Sequence, residues 1–337
     1  MLLGFNSFAH FLTDAVCAAA LFGVVSGSTA DFLAALVIYN TAAFTTQCLV
    51  GLVTDELKSQ EPLAAAGLAA CAISALLPLP GHMLALAVGL GNSLFHVAGG
   101  TVTLKAAKDA GPLGIFVAPG AVGLAMGTLW PELRVLFCVL ALPVSAVLFA
   151  LRGHEPAFQP AAKRTKTSWP AVLLLTLAVA VRAIGGCAVE FPWKAGAAMS
   201  MLAAVFVFAG KTFGGFVCRR LGETKTALLS LPAAALLTAL CFNWAVPSLI
   251  GQLLVNLTMP VTLWLIYRAM PDSPGFAFGL AASALWPGTV AGGMISLTGA
   301  WRTLLVISCF AAGLAAIAYS ERKIPALSGE CLRRNDK

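Results

Sequence analysis

The sequence predicts an all-α polytopic membrane protein whose twelve transmembrane helices fall into two halves of six. Three observations carry that expectation. Hydrophobic residues make up 59% of the 337 and charged residues only 10%, with a mean hydropathy of +0.90. A soluble domain of this size could not hide so much apolar surface. The apolar stretches are continuous runs rather than the alternating pattern of barrel strands, so helices are the only plausible way to cross lipid. One long polar connection, His154–Ser168, divides the runs six and six.

In chain order the expected spans are 2–25, 31–53, 62–79, 83–104, 111–129, 133–151, 170–191, 195–218, 225–243, 245–267, 275–298 and 301–320. Each is long enough for a helix rising about 1.5 Å per residue to cross about 30 Å of hydrocarbon. The first run begins at Met1 without a basic leader and is interrupted by polar residues, so it reads as a retained helix rather than a cleaved signal. The organisation expected is an N-terminal bundle (1–152), a linker (153–169), a C-terminal bundle (170–320) and a tail (321–337). Trp130, Trp169, Trp193, Trp244 and Trp301 fall at span ends, where interfacial anchors belong.

With the N-terminus in the cytosol, sixteen of the 21 Lys and Arg fall on the inner side. Only Arg134, Lys194 and Arg302 fall outside, and Arg182 and Lys211 lie within spans. The positive-inside bias therefore places both termini in the cytosol. The net charge of +7 is topological, and no nucleic-acid partner is implied. Nine cysteines show no CxxC pair, which argues against a zinc site and against structural disulfides. No His-Glu-x-x-His and no phosphate-binding Gly-rich loop occurs, so neither a metallohydrolase nor an ATP-driven pump is expected, and no cofactor is implied.

The two halves repeat features at a nearly constant offset. Gly51-Leu52-Val53-Thr54-Asp55 ends span 2, as Gly215-Phe216-Val217-Cys218-Arg219 ends span 8. Pro119-Gly120 in span 5 answers Pro287-Gly288 in span 11. Parallel repeats of this kind build many secondary transporters, which rock around a site near the bilayer midplane. On these residues the chain resembles the major facilitator superfamily. The resemblance implies two six-helix bundles, cytosolic termini and a latch at the ends of helices 2 and 8. Gly51 and Asp55 match the family's first signature, but Glu56 and Lys58 stand where a basic residue and a second glycine belong. In the second copy Gly215, Arg220 and Gly222 match, and Arg219 takes the aspartate position.

Gly114-Ile115-Phe116-Val117-Ala118-Pro119-Gly120-Ala121-Val122-Gly123 is similar to the helix 5 motif of family exporters, with Ala118 and Val122 in place of glycines. A proline that removes a helix hydrogen bond, beside small residues, makes a bendable and closely packed hinge. His10-Phe11-Leu12-Thr13-Asp14 and Gly91-Asn92-Ser93-Leu94-Phe95-His96 resemble the fosmidomycin-resistance-type branch, although Val97 replaces its usual proline. The resemblance implies efflux by an antiporter in a bacterial cytoplasmic membrane.

In the family fold, helices 1, 4, 7 and 10 line the cavity. Asn6, His10 and Asp14 share one face of span 1, and Asn92 and His96 share one face of span 4. Arg182 and Asn256 lie near the middle of spans 7 and 10. Asp14 and His10 are the expected proton carriers. Arg182, His96, Asn92, Asn256 and Asn6 are the expected substrate contacts, and Asp55, Gly51, Gly215, Arg219, Pro119 and Gly120 the gating residues. Asp14 and Arg182 form the expected opposite-sign pair between halves, while Lys211 is as readily a snorkelling lysine as a cavity residue. The resulting expectation is a monomeric, proton-coupled carrier of a small organic solute, acting in the bilayer. Two alternatives stay open: a metal-ion or small-anion transporter using His10, Asp14 and His96, and a non-transporting scaffold or receptor of the same fold.

Overall fold

The computed structural model describes residues 2–25, 28–153 and 167–324. Most of the expected linker and tail, including Lys163, Arg164, Lys166, Arg333, Arg334 and Lys337, lies outside the described residues. In lipid every backbone N–H and C=O must be satisfied within its own segment, and the described chain answers with helices throughout. They are α1 (Leu2–Val24), α2 (Thr29–Asp55), α3 (Glu61–Leu76), α4 (Gly81–Ala106), α5 (Gly111–Leu129) and α6 (Arg134–Ala150). After the linker come α7 (Trp169–Cys187), α8 (Ala197–Leu221), α9 (Glu223–Leu240), α10 (Ala245–Ala269), α11 (Pro274–Ser283 and Leu285–Met294) and α12 (Gly299–Lys323).

All twelve expected spans are present, most within a few residues of their expected ends. Among the described residues nine are long and apolar enough to cross a membrane alone. The other three are α3, which is short, α9, and α11, which is broken at Ala284 ahead of Pro287. A proline offers no N–H to the carbonyl four residues back, so a break there is expected. A π-helical turn over Thr41–Thr45 interrupts α2 at mid-span, and α10 is offset at Leu257, three residues before Pro260.

The ends of α4, α8, α10 and α12 bring Lys105, Arg219, Arg220, Arg268, Arg322 and Lys323 to one face, here called the basic face. The two halves meet along two seams. On one, α2 packs on α11, and a Cβ at Gly51 would overlap the Gly275 carbonyl, its carbon only 2.7 Å away. On the other, α8 packs on α5, where a Cβ at Gly215 would overlap the Ala110 carbonyl and stand 2.8 Å from Gly111 Cα. The duplicated Gly51 and Gly215 thus occupy equivalent places, each letting two backbones from opposite halves touch.

Candidate functional site

The polar residues of α1 and α4 converge at mid-span. Spacing of four puts His10 and Asp14 on one side of α1, and Asn92 and His96 on one side of α4. His10 Nδ1 donates to the Phe116 carbonyl of α5 at 2.7 Å, and His96 Nδ1 donates to the Asn92 carbonyl at 2.9 Å. A carbonyl only accepts, so both Nδ1 atoms carry hydrogen. The two Nε2 atoms then face each other at 2.8 Å. Two lone pairs do not meet at that distance. Contact at that distance suits a hydrogen shared between the two nitrogens.

Asp14 supplies the counter-charge, with Oδ2 at 3.4 Å from His10 Nε2 and Oδ1 at 3.5 Å from His96 Nε2. Asn92 Nδ2 donates to Asp14 Oδ1 at 3.1 Å and lies 3.2 Å from the Tyr39 hydroxyl, tying the carboxylate to α4 and α2. Phe95 and Phe116 wall the His10 ring. Gly120 makes the arrangement possible: a Cβ there would overlap Asp14 Oδ2 and come within 2.5 Å of His10 Nε2. Gly120, expected as part of a hinge with Pro119, is the clearance that admits the cluster.

The three side chains could in principle ligate a metal, since their donor atoms all lie within 4.8 Å of one another. Two imidazoles on one tetrahedral zinc, with bonds of about 2.0–2.1 Å, hold their nitrogens roughly 3.3 Å apart. The observed 2.8 Å fits an N–H···N hydrogen bond instead.

A cavity of about 220 Å³ opens beside the cluster, lined by His10, Asp14, Asn92 and His96 from the first half and Lys211, Met259 and Phe278 from the second. The π turn of α2 contributes, since Tyr39, Asn40, Phe44 and Gln47 on either side of it reach the lining. Lys211 also lines a wider space of about 400 Å³ that runs past Leu124 and Thr128 to Lys194 and Ser200, away from the basic face. A narrow side pocket of about 50 Å³ leads from the shared wall of Val117, Met259 and Phe278 to Arg182.

Other expected residues sit elsewhere. Arg182 does not meet Asp14; its Nη1 donates to Thr258 Oγ1 at 2.8 Å and its Nη2 lies 3.4 Å from Thr262 Oγ1, both on α10. Lys211 is the second-half cation that shares a cavity with Asp14, its Nζ 3.3 Å from the Val117 carbonyl. It turns inward rather than snorkelling. Position along α8 gave no sign of this, but its place four residues before Gly215, on the face of the α5 seam, does. Asn6 donates to the Gly99 carbonyl at 2.7 Å and Thr103 Oγ1 at 3.1 Å, fastening α1 to α4 outside these cavities. Asn256 donates to the Gln252 carbonyl of its own helix at 2.8 Å and packs near Gly210. Neither asparagine lines the cavities described.

At the basic face Asp55 reaches across to α11. Its Oδ1 accepts from Gly275 N at 2.6 Å and its Oδ2 from Phe276 N at 2.9 Å. On the other seam Asp109, at the start of α5, accepts from Gly111 N at 2.7 Å and lies 3.6 Å from Arg219 Nε. Each seam therefore carries one acid-mediated contact, although the second copy puts a base on α8 and the acid in the connection just before α5.

No family model matches the sequence, and no curated protein matches it. Solved structures do. A major facilitator superfamily transporter, FucP, in the outward conformation superposes with a TM-score of 0.65 at 12% identity, covering 94% of this chain and 98% of that one. This is the major facilitator fold. The E. coli fucose:proton symporter FucP gives 0.64 at 11% identity, covering 94% and 98% of the two chains. A bacterial homologue of the iron transporter ferroportin in an outward-facing state gives 0.61 at 14% identity, covering 96% and 98%. The major facilitator fold accounts for the paired seams and for a cavity walled by both halves. At 11–14% identity the likeness is one of fold.

Proposed function

We propose that the chain is a proton-coupled secondary transporter that exports a small organic solute by alternating access, with His10, His96 and Asp14 as the proton-carrying group. The observation that carries this reading is the 2.8 Å contact between two Nε2 atoms whose Nδ1 hydrogens are already committed. In this reading the contact holds a shared proton. Removing the proton leaves two lone pairs in repulsion, which forces α1 and α4 to adjust against α5, and α5 forms a seam with the other half. The charged and titratable groups facing the cluster are Lys211 of α8, Tyr39 of α2, Cys71 of α3 and Cys17 of α1 itself.

Asp55 with Gly51, and Arg219 with Gly215, act as latches that hold the basic face shut. The space reaching Lys194 and Ser200 leaves the opposite face open, which is the outward-facing state if the positive-inside orientation holds. The outward conformations of two structural neighbours agree with that reading. The exporter-like run around Pro119-Gly120 and the fosmidomycin-resistance-like motifs support efflux by exchange against protons.

The test is proton movement in proteoliposomes carrying the full-length chain. An imposed pH gradient should drive solute flux in the wild type and none in Asp14→Asn, which keeps shape and removes the counter-charge. Undiminished pH-driven flux in Asp14→Asn would sink the proton role. Flux gated by added divalent metal, insensitive to the pH gradient, would favour a metal carrier instead.

A further inference from the structure

We propose that the solute is a small organic anion whose acidic group is held between Lys211 and Arg182; the inference rests on the transporter reading and deepens it. The argument begins with charge. Among the described residues at mid-span, Asp14 is the single carboxylate, and it lies against His10 and His96 at 3.4 and 3.5 Å. Lys211 and Arg182 are then left over. Among the described residues neither is in ion-pair contact with a carboxylate. A charge at this depth is costly enough that a partner or a wet cavity must offset it.

Hydrogen bonding points the same way. Lys211 has three donors and, among the described residues, one acceptor, the Val117 carbonyl at the long distance of 3.3 Å. Arg182 presents five N–H groups and meets only Thr258 and Thr262, so at least two donors remain for a ligand. The two cations line neighbouring spaces that share Val117, Met259, Phe278, Ala282 and Leu285, Lys211 in the central cavity and Arg182 in the side pocket. A guanidinium fork and an ammonium on opposite sides suit a carboxylate or a phosphate monoester, which share the chemistry of several acceptor oxygens carrying negative charge.

The wall that the two spaces share is apolar. Val117, Met259, Phe278 and Leu285 line both the central cavity and the side pocket, offering cover for a short carbon body, while Asp14 lies among the polar residues elsewhere on the central cavity wall. The central cavity of about 220 Å³ has room for a metabolite-sized acid.

The experiment is a thermal-shift titration of the purified full-length chain in lipid nanodiscs. The probes are pyruvate, malate and glycerol 3-phosphate, each set against an uncharged analogue such as lactamide or glycerol, with choline as the cationic control. At least one anion should raise Tm while the uncharged and cationic probes do not. Lys211→Gln and Arg182→Gln should weaken that binding about 10- to 100-fold, the loss expected for one charged hydrogen bond. Lys211→Arg keeps the charge and should retain binding, which separates loss of the site from loss of folding. The proposal is overturned if no anion stabilises the wild type, if neutral analogues match their acids, or if both Gln variants bind as the wild type does. Preference for the phosphate or the carboxylate probes identifies the acid type. Binding without flux in proteoliposomes retires the carrier reading and leaves the anion site standing; flux of uncharged solutes alone does the reverse.

Discussion

Replacing Asp55 with alanine should open the basic face. α11 has no capping side chain of its own at Ser273, and its first free N–H groups, on Gly275 and Phe276, are satisfied by Asp55 from the other half of the protein. A hydrogen bond to a charged group contributes about 1.5–3 kcal/mol net. The carboxylate is half-buried, so the lower end applies, and the two bonds together hold the closed face by about 3 kcal/mol. In the open state water satisfies the same N–H groups, so the loss falls almost wholly on the closed state. Three kilocalories correspond to a ratio of about 100 between two states. Single-molecule energy transfer between dyes placed at positions 58 and 272, on loops of opposite halves beside the contact, reads that ratio directly. Asp55→Ala should move the population strongly toward the long-distance state, and Asp55→Asn, which keeps one acceptor oxygen, should fall between. A change of less than about threefold in Asp55→Ala would show that the glycine packing of the seam, not this carboxylate, holds the face shut.

Gly120→Ala puts a methyl group where Asp14 Oδ2 and His10 Nε2 now lie. Overpacking of a fitted site costs about 1–3 kcal/mol, so proton-coupled flux should fall about tenfold or more while helix content by circular dichroism is unchanged; normal flux would mean that the cluster tolerates displacement. The His10–His96 contact needs its proton, so its stabilisation is present at low pH and lost as pH rises. Wild-type Tm should therefore fall as pH rises, and His96→Gln should flatten that dependence. An unchanged slope in His96→Gln would place the titrating group elsewhere.

The spans were readable because lipid leaves the chain so little choice. Runs such as 83–104 and 301–320 can satisfy their backbones only as helices, and α4 and α12 follow them closely. Gly51 and Gly215 were readable as a pair because duplication preserved their spacing from the span ends. Pairing across the cavity was not readable. Asp14 and Arg182 are the obvious opposites by sign, yet sign does not report rotation about a helix axis. His10 and His96 already satisfy Asp14, and Arg182 is engaged by two threonines of α10, ordinary residues in a sequence. Asn6 and Asn256 show the same limit. An asparagine at mid-span can face a cavity or fasten a neighbouring helix, and only the packing of Gly99 and Gly210 decides between them here.

Two neighbouring peptide groups of α5 serve opposite halves of the molecule. The Phe116 carbonyl receives His10, and the next, that of Val117, receives Lys211. Successive carbonyls on a helix are fixed in angle to one another, so turning or sliding this helix resets both acceptors at once. Whatever alters the imidazole pair is thereby geared to the lysine across the hollow, through a rigid rod one residue of pitch apart rather than through the solvent between them.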